Sequence, residues 1–173
     1  ALSSPDRSGT LARAGVAKYL GGRHLDGLAI LEQAAAVSGD DVTAEIALAM
    51  LHLQRKEAQR ARAVAERLQP KMPANPIGFG IAGIASLMLN ETDAARASFE
   101  RATRIDPAYW PAAAHLARMD LAAGDKEAAK ARIRQVLEHD ANNVQSMLTL
   151  LQITGDRRGF VDSLETARRA DPR

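Results

Sequence analysis

The sequence repeats with a period of 34 residues, and this period constrains the fold more than any other feature. Steps of 34 connect similar residues along most of the chain without an insertion or deletion. Three of these rows are Gly15, Ala49, Gly83 and Ala117; Leu31, Ala65, Phe99 and Ile133; and Ala34, Leu68, Ala102 and Val136. A fixed period of this size indicates a solenoid, in which each unit is one supersecondary element that buries its apolar face against its neighbours. Because such chains present extended concave surfaces, the period favours a binding scaffold.

Each unit is predicted to be a helical hairpin. Apolar residues follow helical spacing in both halves of a unit, as in Ala129, Ile133 and Val136. Between the halves, Gly124 can close the first helix and Asp125 can cap the second. The pattern predicts ten helices, at roughly 8–21, 24–37, 42–54, 57–71, 76–89, 92–105, 110–123, 126–139, 144–154 and 157–170.

The boundaries between units carry the residues that usually start and stop helices. Asp41, Asn75 and Asn143 occupy the same cap position in three of the units, and Pro76 is expected at the first helical position. Pro70 is expected to shorten or kink the helix that contains it. The chain is predicted to be one continuous array with units at about 8–41, 42–75, 76–109, 110–143 and 144–173, cut from a longer protein.

The spacing of large, small and proline residues within one unit resembles the tetratricopeptide repeat. In the third unit the matching positions are Phe79, Gly83, Ala95, Phe99, Ala102 and Pro107. The resemblance implies an all-α, right-handed α-α superhelix of about five helical hairpins. One departure is that the family's usual Tyr in the first helix is replaced by Lys18, His52, Ser86 and Asp120, each followed by an apolar or aromatic residue.

The resemblance also places a row of first-helix residues on the inner, concave groove. The predicted partner groove consists of Val16, Tyr19, Ile46, Met50, Ile84, Met88, Arg118 and Gln152. Much of this row is apolar, and an exposed apolar channel usually marks a partner site for an amphipathic helix or an extended peptide. Part of the row could instead be ordinary hairpin core, above all Leu53 and Leu87.

Composition and motifs point away from catalysis, cofactors and nucleic acid. The chain has no cysteine, and its four histidines have no partner at metal-ligand spacing, so no metal site is expected. Its 23 basic and 21 acidic residues are interleaved, and aromatics make up only 3%, which argues against nucleic acid binding. The run from Gly78 to Gly83 spells G-x-G-x-x-G, but the repeat frame puts it inside a helix, which favours a structural role over dinucleotide binding. No apolar stretch is long enough to cross a membrane.

A narrower resemblance rests on the stretch from Phe99 to Asp125. It is similar to the tetratricopeptide lipoprotein associated with exosortase (PEP-CTERM) protein sorting and exopolysaccharide loci. That resemblance implies a non-enzymatic protein–protein interaction scaffold in the periplasm, held at the outer membrane by an anchor outside this segment. Two alternatives stay open: the repeat arm of a larger enzyme such as a glycosyltransferase, and a cytoplasmic assembly adaptor.

Overall fold

The computed structural model describes residues 4–37 and 41–170, and this part of the chain contains ten α-helices and no β-strand. The helices are α1 (Ser4–Leu20), α2 (His24–Ala36), α3 (Thr43–Gln54), α4 (Ala58–Lys71), α5 (Ile77–Met88), α6 (Thr92–Ile105), α7 (Trp110–Ala122), α8 (Lys126–His139), α9 (Val144–Thr154) and α10 (Arg157–Ala170). The predicted all-α helical repeat is confirmed. All helix ends lie within one residue of their predicted positions except the start of α1, which is four residues earlier.

The chain divides into two compact units, Ala1–Ala95 and Arg96–Arg173. In the first unit α1 packs on α2 and α3 packs on α4, which gives two hairpins, and α5 packs on α4. In the second unit α7 pairs with α8 and α9 pairs with α10. Contacts of α1 with α3, α3 with α5, and α7 with α9 show that the first helices of successive hairpins are neighbours within each unit.

Small residues allow α1 and α2 to approach closely, as the row through Gly15 and Gly27 predicts. A Cβ atom added to Gly27 would lie 2.7 Å from both the Gly15 carbonyl oxygen and the Tyr19 backbone nitrogen. A Cβ atom on Gly15 would lie 2.8 Å from Leu31 Cγ. Any larger residue at these positions would therefore separate the two helix axes.

Each unit has its own apolar core, built from the rows that the period identifies. The core of the first unit includes Leu31, Leu68 and Ile81, all essentially inaccessible to solvent. In the second unit Ile133 and Val136 are fully buried among alanines of α7 and α8. Each large apolar side chain buried in this way stabilises the fold by about 1.5–3 kcal/mol relative to leaving it exposed.

The predicted caps accept hydrogen bonds from backbone N–H groups at the helix starts. Asn143 Oδ1 accepts from the Ser146 N–H at 3.0 Å, which is an N-cap of α9. Asp41 and Asn75 accept instead from the N–H two residues further on, each at 3.0 Å. Helix α5 begins at Ile77, so the expectation that Pro76 is its first residue is wrong by one position.

Helix α4 runs through Pro70 and ends at Lys71, and its 14 residues equal the length of α6 and α8. The expectation that Pro70 shortens this helix is therefore wrong. Pro70 lies next to the last residue, where the missing N–H removes a single hydrogen bond. Lys71 Nζ also lies 3.1 Å from both carboxylate oxygens of Glu45, a buried residue of α3, and this ion pair holds the last turn of α4 in place.

The turn inside each hairpin has the same left-handed backbone, whichever residue occupies it. Positions 34 apart are Gly22 (φ 83°), Lys56 (φ 60°), Asn90 (φ 62°) and Gly124 (φ 82°). The expectation that Gly124 closes α7 is confirmed. Gly155 (φ 74°) closes α9 in the same way, so in two of these five turns a residue with a side chain, Lys56 or Asn90, occupies a conformation that glycine adopts most readily.

Candidate functional site

A cavity of about 340 Å³ lies between the first helices of the two hairpins in the second unit, α7 and α9. From α7, Trp110, Ala114, Arg118 and Leu121 recur at helical spacing and therefore share one face. From α9, Thr149, Gln152 and Ile153 form the facing wall. The lining is mainly apolar, with Arg118 as its one cation among the residues described. This arrangement suits a ligand with an apolar part and a polar or charged part.

Trp110 joins the cavity to the core of the second unit. Its ring packs against the cluster around Ile133 and Val136, as does Ile153 from α9. The indole Nε1 is buried and has no hydrogen-bond partner among the described residues. A buried donor without an acceptor is rare in folded proteins, and this one belongs to a residue that also lines the cavity.

Arg118 is held in position by a neutral histidine. Its Nη2 lies 2.7 Å from His115 Nδ1, and the His115 ring stacks on Phe99 with ring centres 4.6 Å apart and planes 5° apart. Burial of the ring, together with the charge of Arg118, lowers the pKa of His115 to about 4. The imidazole is therefore uncharged at neutral pH and can accept a hydrogen bond from the guanidinium.

Two of the eight predicted groove residues, Arg118 and Gln152, line this cavity. The other six belong to the first unit. Val16, Tyr19 and Ile46 are half-buried and pack against the core of that unit, and Ile84 and Met88 are also half-buried. Met50 is 44% exposed and is the most accessible of the six. A role in partner contact stays a prediction for all eight residues, and for Val16, Tyr19 and Ile46 the packing also assigns a structural role.

Two buried carboxylates were missed by sequence reasoning. Asp120 of α7 accepts a hydrogen bond from Arg96 Nη1 at 2.7 Å and another from Arg132 Nε, so it joins α6, α7 and α8. Burial alone would raise the pKa of Asp120, but the hydrogen bonds from Arg132 and Arg96 outweigh it and leave the pKa below its ordinary value. The second is Glu45, paired with Lys71. Asp120 occupies the position at which the family usually has Tyr, and this departure is the feature of the sequence that could have pointed to a special role for Asp120.

The motifs set aside in the sequence are structural where they can be located. All three glycines of the G-x-G-x-x-G run lie inside α5 and are buried, as the repeat frame predicts. Within residues 4–37 and 41–170, no group of three His, Asp or Glu side chains is placed to hold a metal ion. In the same part of the chain, none of the helices combines the length and the apolar character needed to span a bilayer.

Comparison with family models bears on the second unit directly. Residues 86–152 match the model described as tetratricopeptide repeat. The tetratricopeptide repeat family is thereby supported. The matched segment contains the whole α7–α8 hairpin and reaches Gln152, so every residue named above as lining the cavity except Ile153 lies within a tetratricopeptide repeat match.

Solved structures show the same fold at low sequence identity. TTC0263, a thermophilic TPR protein of Thermus thermophilus, is 20% identical with a TM-score of 0.66, over 96% of this chain and 92% of that one. MamA from Desulfovibrio magneticus RS-1 is 18% identical with a TM-score of 0.64, over 79% and 77% of the two chains. YrrB, described as a TPR protein with an unusual peptide-binding site, is 14% identical with a TM-score of 0.58, over 94% and 85%. No curated protein matches the sequence.

Proposed function

We propose that this chain is a non-enzymatic protein-interaction scaffold that binds a peptide segment of a partner protein in the α7–α9 cavity. The observation that carries this proposal is the cavity itself, an apolar recess between two first helices with a single exposed cation. The helical repeat supports it, since stacked hairpins present such surfaces to partners. The description of YrrB as having a peptide-binding site supports the same kind of ligand.

The size of the cavity limits what it can take from a partner. Its volume of about 340 Å³ lies near the lower end of the range of about 300–1,000 Å³ that is typical of ligand pockets. One or two apolar side chains fit, while the rest of the peptide would run along the groove outside. Trp110, Leu121 and Ile153 provide the apolar contact area, and burying it supplies the main favourable free energy of binding.

Selection of random peptides displayed on phage, followed by fluorescence titration, tests the proposal. The chain has one tryptophan, so its fluorescence reports on the cavity alone. Peptides that bind there should change the emission of Trp110 in a saturable way. If selection yields no peptide that changes the emission, the cavity is not a peptide site and the proposal is wrong.

A matched pair of substitutions locates the binding. Ala114→Phe fills the cavity from α7 and should weaken binding of the selected peptides by at least tenfold, a loss of about 1.4 kcal/mol. The fold should tolerate the change, because Ile46 occupies the same position of the repeat in α3. Ala131→Phe makes the same change at an exposed position of α8 away from the cavity and should leave binding unchanged. Equal binding by both variants would place the peptide elsewhere.

The pathway and location are proposed from the sequence resemblance between Phe99 and Asp125. We propose a role in envelope protein sorting or exopolysaccharide export, at the periplasmic face of the outer membrane. Fractionation of cells that express the full-length protein provides the test. Recovery in the outer-membrane fraction would support this location, whereas recovery with the cytoplasmic proteins would favour the assembly-adaptor alternative.

A further inference from the structure

Arg118 is a cation that the fold does not require. The same position of the repeat holds Val16, Met50 and Ile84 in the first unit, so the helix packs there without a charge. Arg118 is exposed, and no carboxylate of the described residues lies within ion-pairing distance of its guanidinium. By contrast, Arg96 and Arg132 of the same unit both pair with Asp120.

The guanidinium of Arg118 keeps most of its donors available for a ligand. Arginine carries five N–H donors in a planar fork, and the contact with His115 engages only one of its terminal nitrogens. Because His115 is stacked on Phe99, it holds the fork at the cavity without neutralising its charge. A fixed, uncompensated fork in an apolar recess is suited to a planar anion.

We propose that the α7–α9 cavity selects a peptide in which an internal Asp or Glu adjoins an apolar residue, with Arg118 binding the carboxylate. This inference rests on the proposed function, because it names the chemistry of the peptide at the same site. The apolar side chain enters the recess beside Leu121 and Ile153, and the carboxylate meets the guanidinium at its edge. Gln152 on the facing helix adds an amide donor. A single guanidinium balances one negative charge, which matches a carboxylate better than a phosphate of charge near −2.

A pair of capped peptides that differ by one atom group tests the inference. The probes are acetyl-Leu-Glu-Leu-amide and acetyl-Leu-Gln-Leu-amide, which have no terminal charge. Each is titrated into ¹⁵N-labelled protein, and the single indole N–H resonance of Trp110 reports binding. The Glu peptide should bind about fivefold more tightly, the size of a partly exposed charge-assisted hydrogen bond. The preference should shrink as salt is raised from about 0.05 to 0.5 M, because salt screens exposed charges.

Arg118→Gln should bind both peptides with the same affinity as the wild type binds the Gln peptide. Arg104→Gln removes an exposed arginine from α6, outside the cavity lining, and should keep the full preference for Glu. Equal binding of the two peptides by the wild type overturns the inference while leaving the peptide site intact. A phosphoserine peptide that binds more tightly than the Glu peptide overturns it in favour of phosphate. If phage-selected peptides lack Asp and Glu, the inference also fails, whereas failure to select any peptide refutes the proposed function itself.

Discussion

Replacing Asp120 with alanine is expected to destabilise the second unit by about 2–4 kcal/mol. The Asp120 side chain is 7% exposed and accepts from Arg96 and Arg132, whose side chains are 32% and 29% exposed. Each charge-assisted hydrogen bond contributes about 1.5–3 kcal/mol. The expected loss is smaller than the sum of the two hydrogen-bond contributions, because both arginines are accessible enough to be solvated when the carboxylate is removed. The loss is therefore smaller than for a fully buried pair and larger than for a surface ion pair.

Urea unfolding followed by circular dichroism measures this loss, and amide hydrogen exchange in α7 localises it. Glu138→Ala is the matched control, since Glu138 is an exposed carboxylate of α8 and its removal should change stability by less than about 0.5 kcal/mol. If Asp120→Ala is no more destabilising than Glu138→Ala, the network does not hold α6, α7 and α8 together and the reasoning is refuted.

The pH dependence gives a second measure of the same network. Because the folded-state pKa of Asp120 is lowered, its stabilisation is fully present above the unfolded pKa of about 3.9 and is lost as pH falls through the folded value. The difference in stability between the wild type and Asp120→Asn should accordingly shrink below about pH 4. If this difference in stability stays constant as pH is lowered to the point of acid unfolding, Asp120 is not charged in the folded protein.

Three further predictions concern the packing and the turns. The pKa of His115 is about 4 in the folded protein and about 6.5 in the unfolded chain, so the protein should become less stable as pH falls from about 6.5 to 4. The expected loss is roughly 1–2 kcal/mol after allowing for solvent screening. His115→Phe should remove this dependence of the unfolding free energy on pH, as measured by urea melts. Gly27→Ala should destabilise the fold by about 2 kcal/mol because the added Cβ has no room. Gly78→Ala adds a Cβ that meets nothing closer than 3.4 Å, so it should be neutral or stabilise the fold by up to about 1 kcal/mol. Thermal melts that rank the two variants the other way refute the packing argument. Lys56→Gly should raise stability by about 0.5–1 kcal/mol by relieving the left-handed strain, and an unchanged melting temperature would show that the strain is absent.

The helices and their pairing could be predicted almost completely from the sequence, because the residues that determine them recur in every unit. Caps such as Asn143, turns such as Gly124 and the buried rows recur at one spacing, so an error at one position is corrected by its equivalents in other units. Pro70 shows where this fails. Its local propensity argued for a shortened helix, and the ion pair that keeps the last turn in place joins residues 26 apart in the sequence.

The candidate site could be predicted only in part. The repeat frame places Arg118 and Gln152 at equivalent positions of α7 and α9, and both line the cavity. The Asp120 network could not be predicted, because its partners lie 24 residues before and 12 after it and neither distance belongs to the period. Charged residues usually face water, and Asp120 departs from that rule because its partners lie on other helices. The stacking of His115 on Phe99 likewise depends on the angle between two helices, which no local pattern encodes.

The left-handed turns have a consequence for the order in which the hairpins form. A residue with a side chain pays about 1–2 kcal/mol in this conformation, so an unfolded chain visits it roughly 5–30 times less often than a glycine does. The turns at Gly22, Gly124 and Gly155 therefore close readily, and the turn at Lys56 closes seldom. We expect the α1–α2, α7–α8 and α9–α10 hairpins to form first, and the α3–α4 hairpin to form later by packing against helices that are already folded. Folding would then begin separately in both compact units.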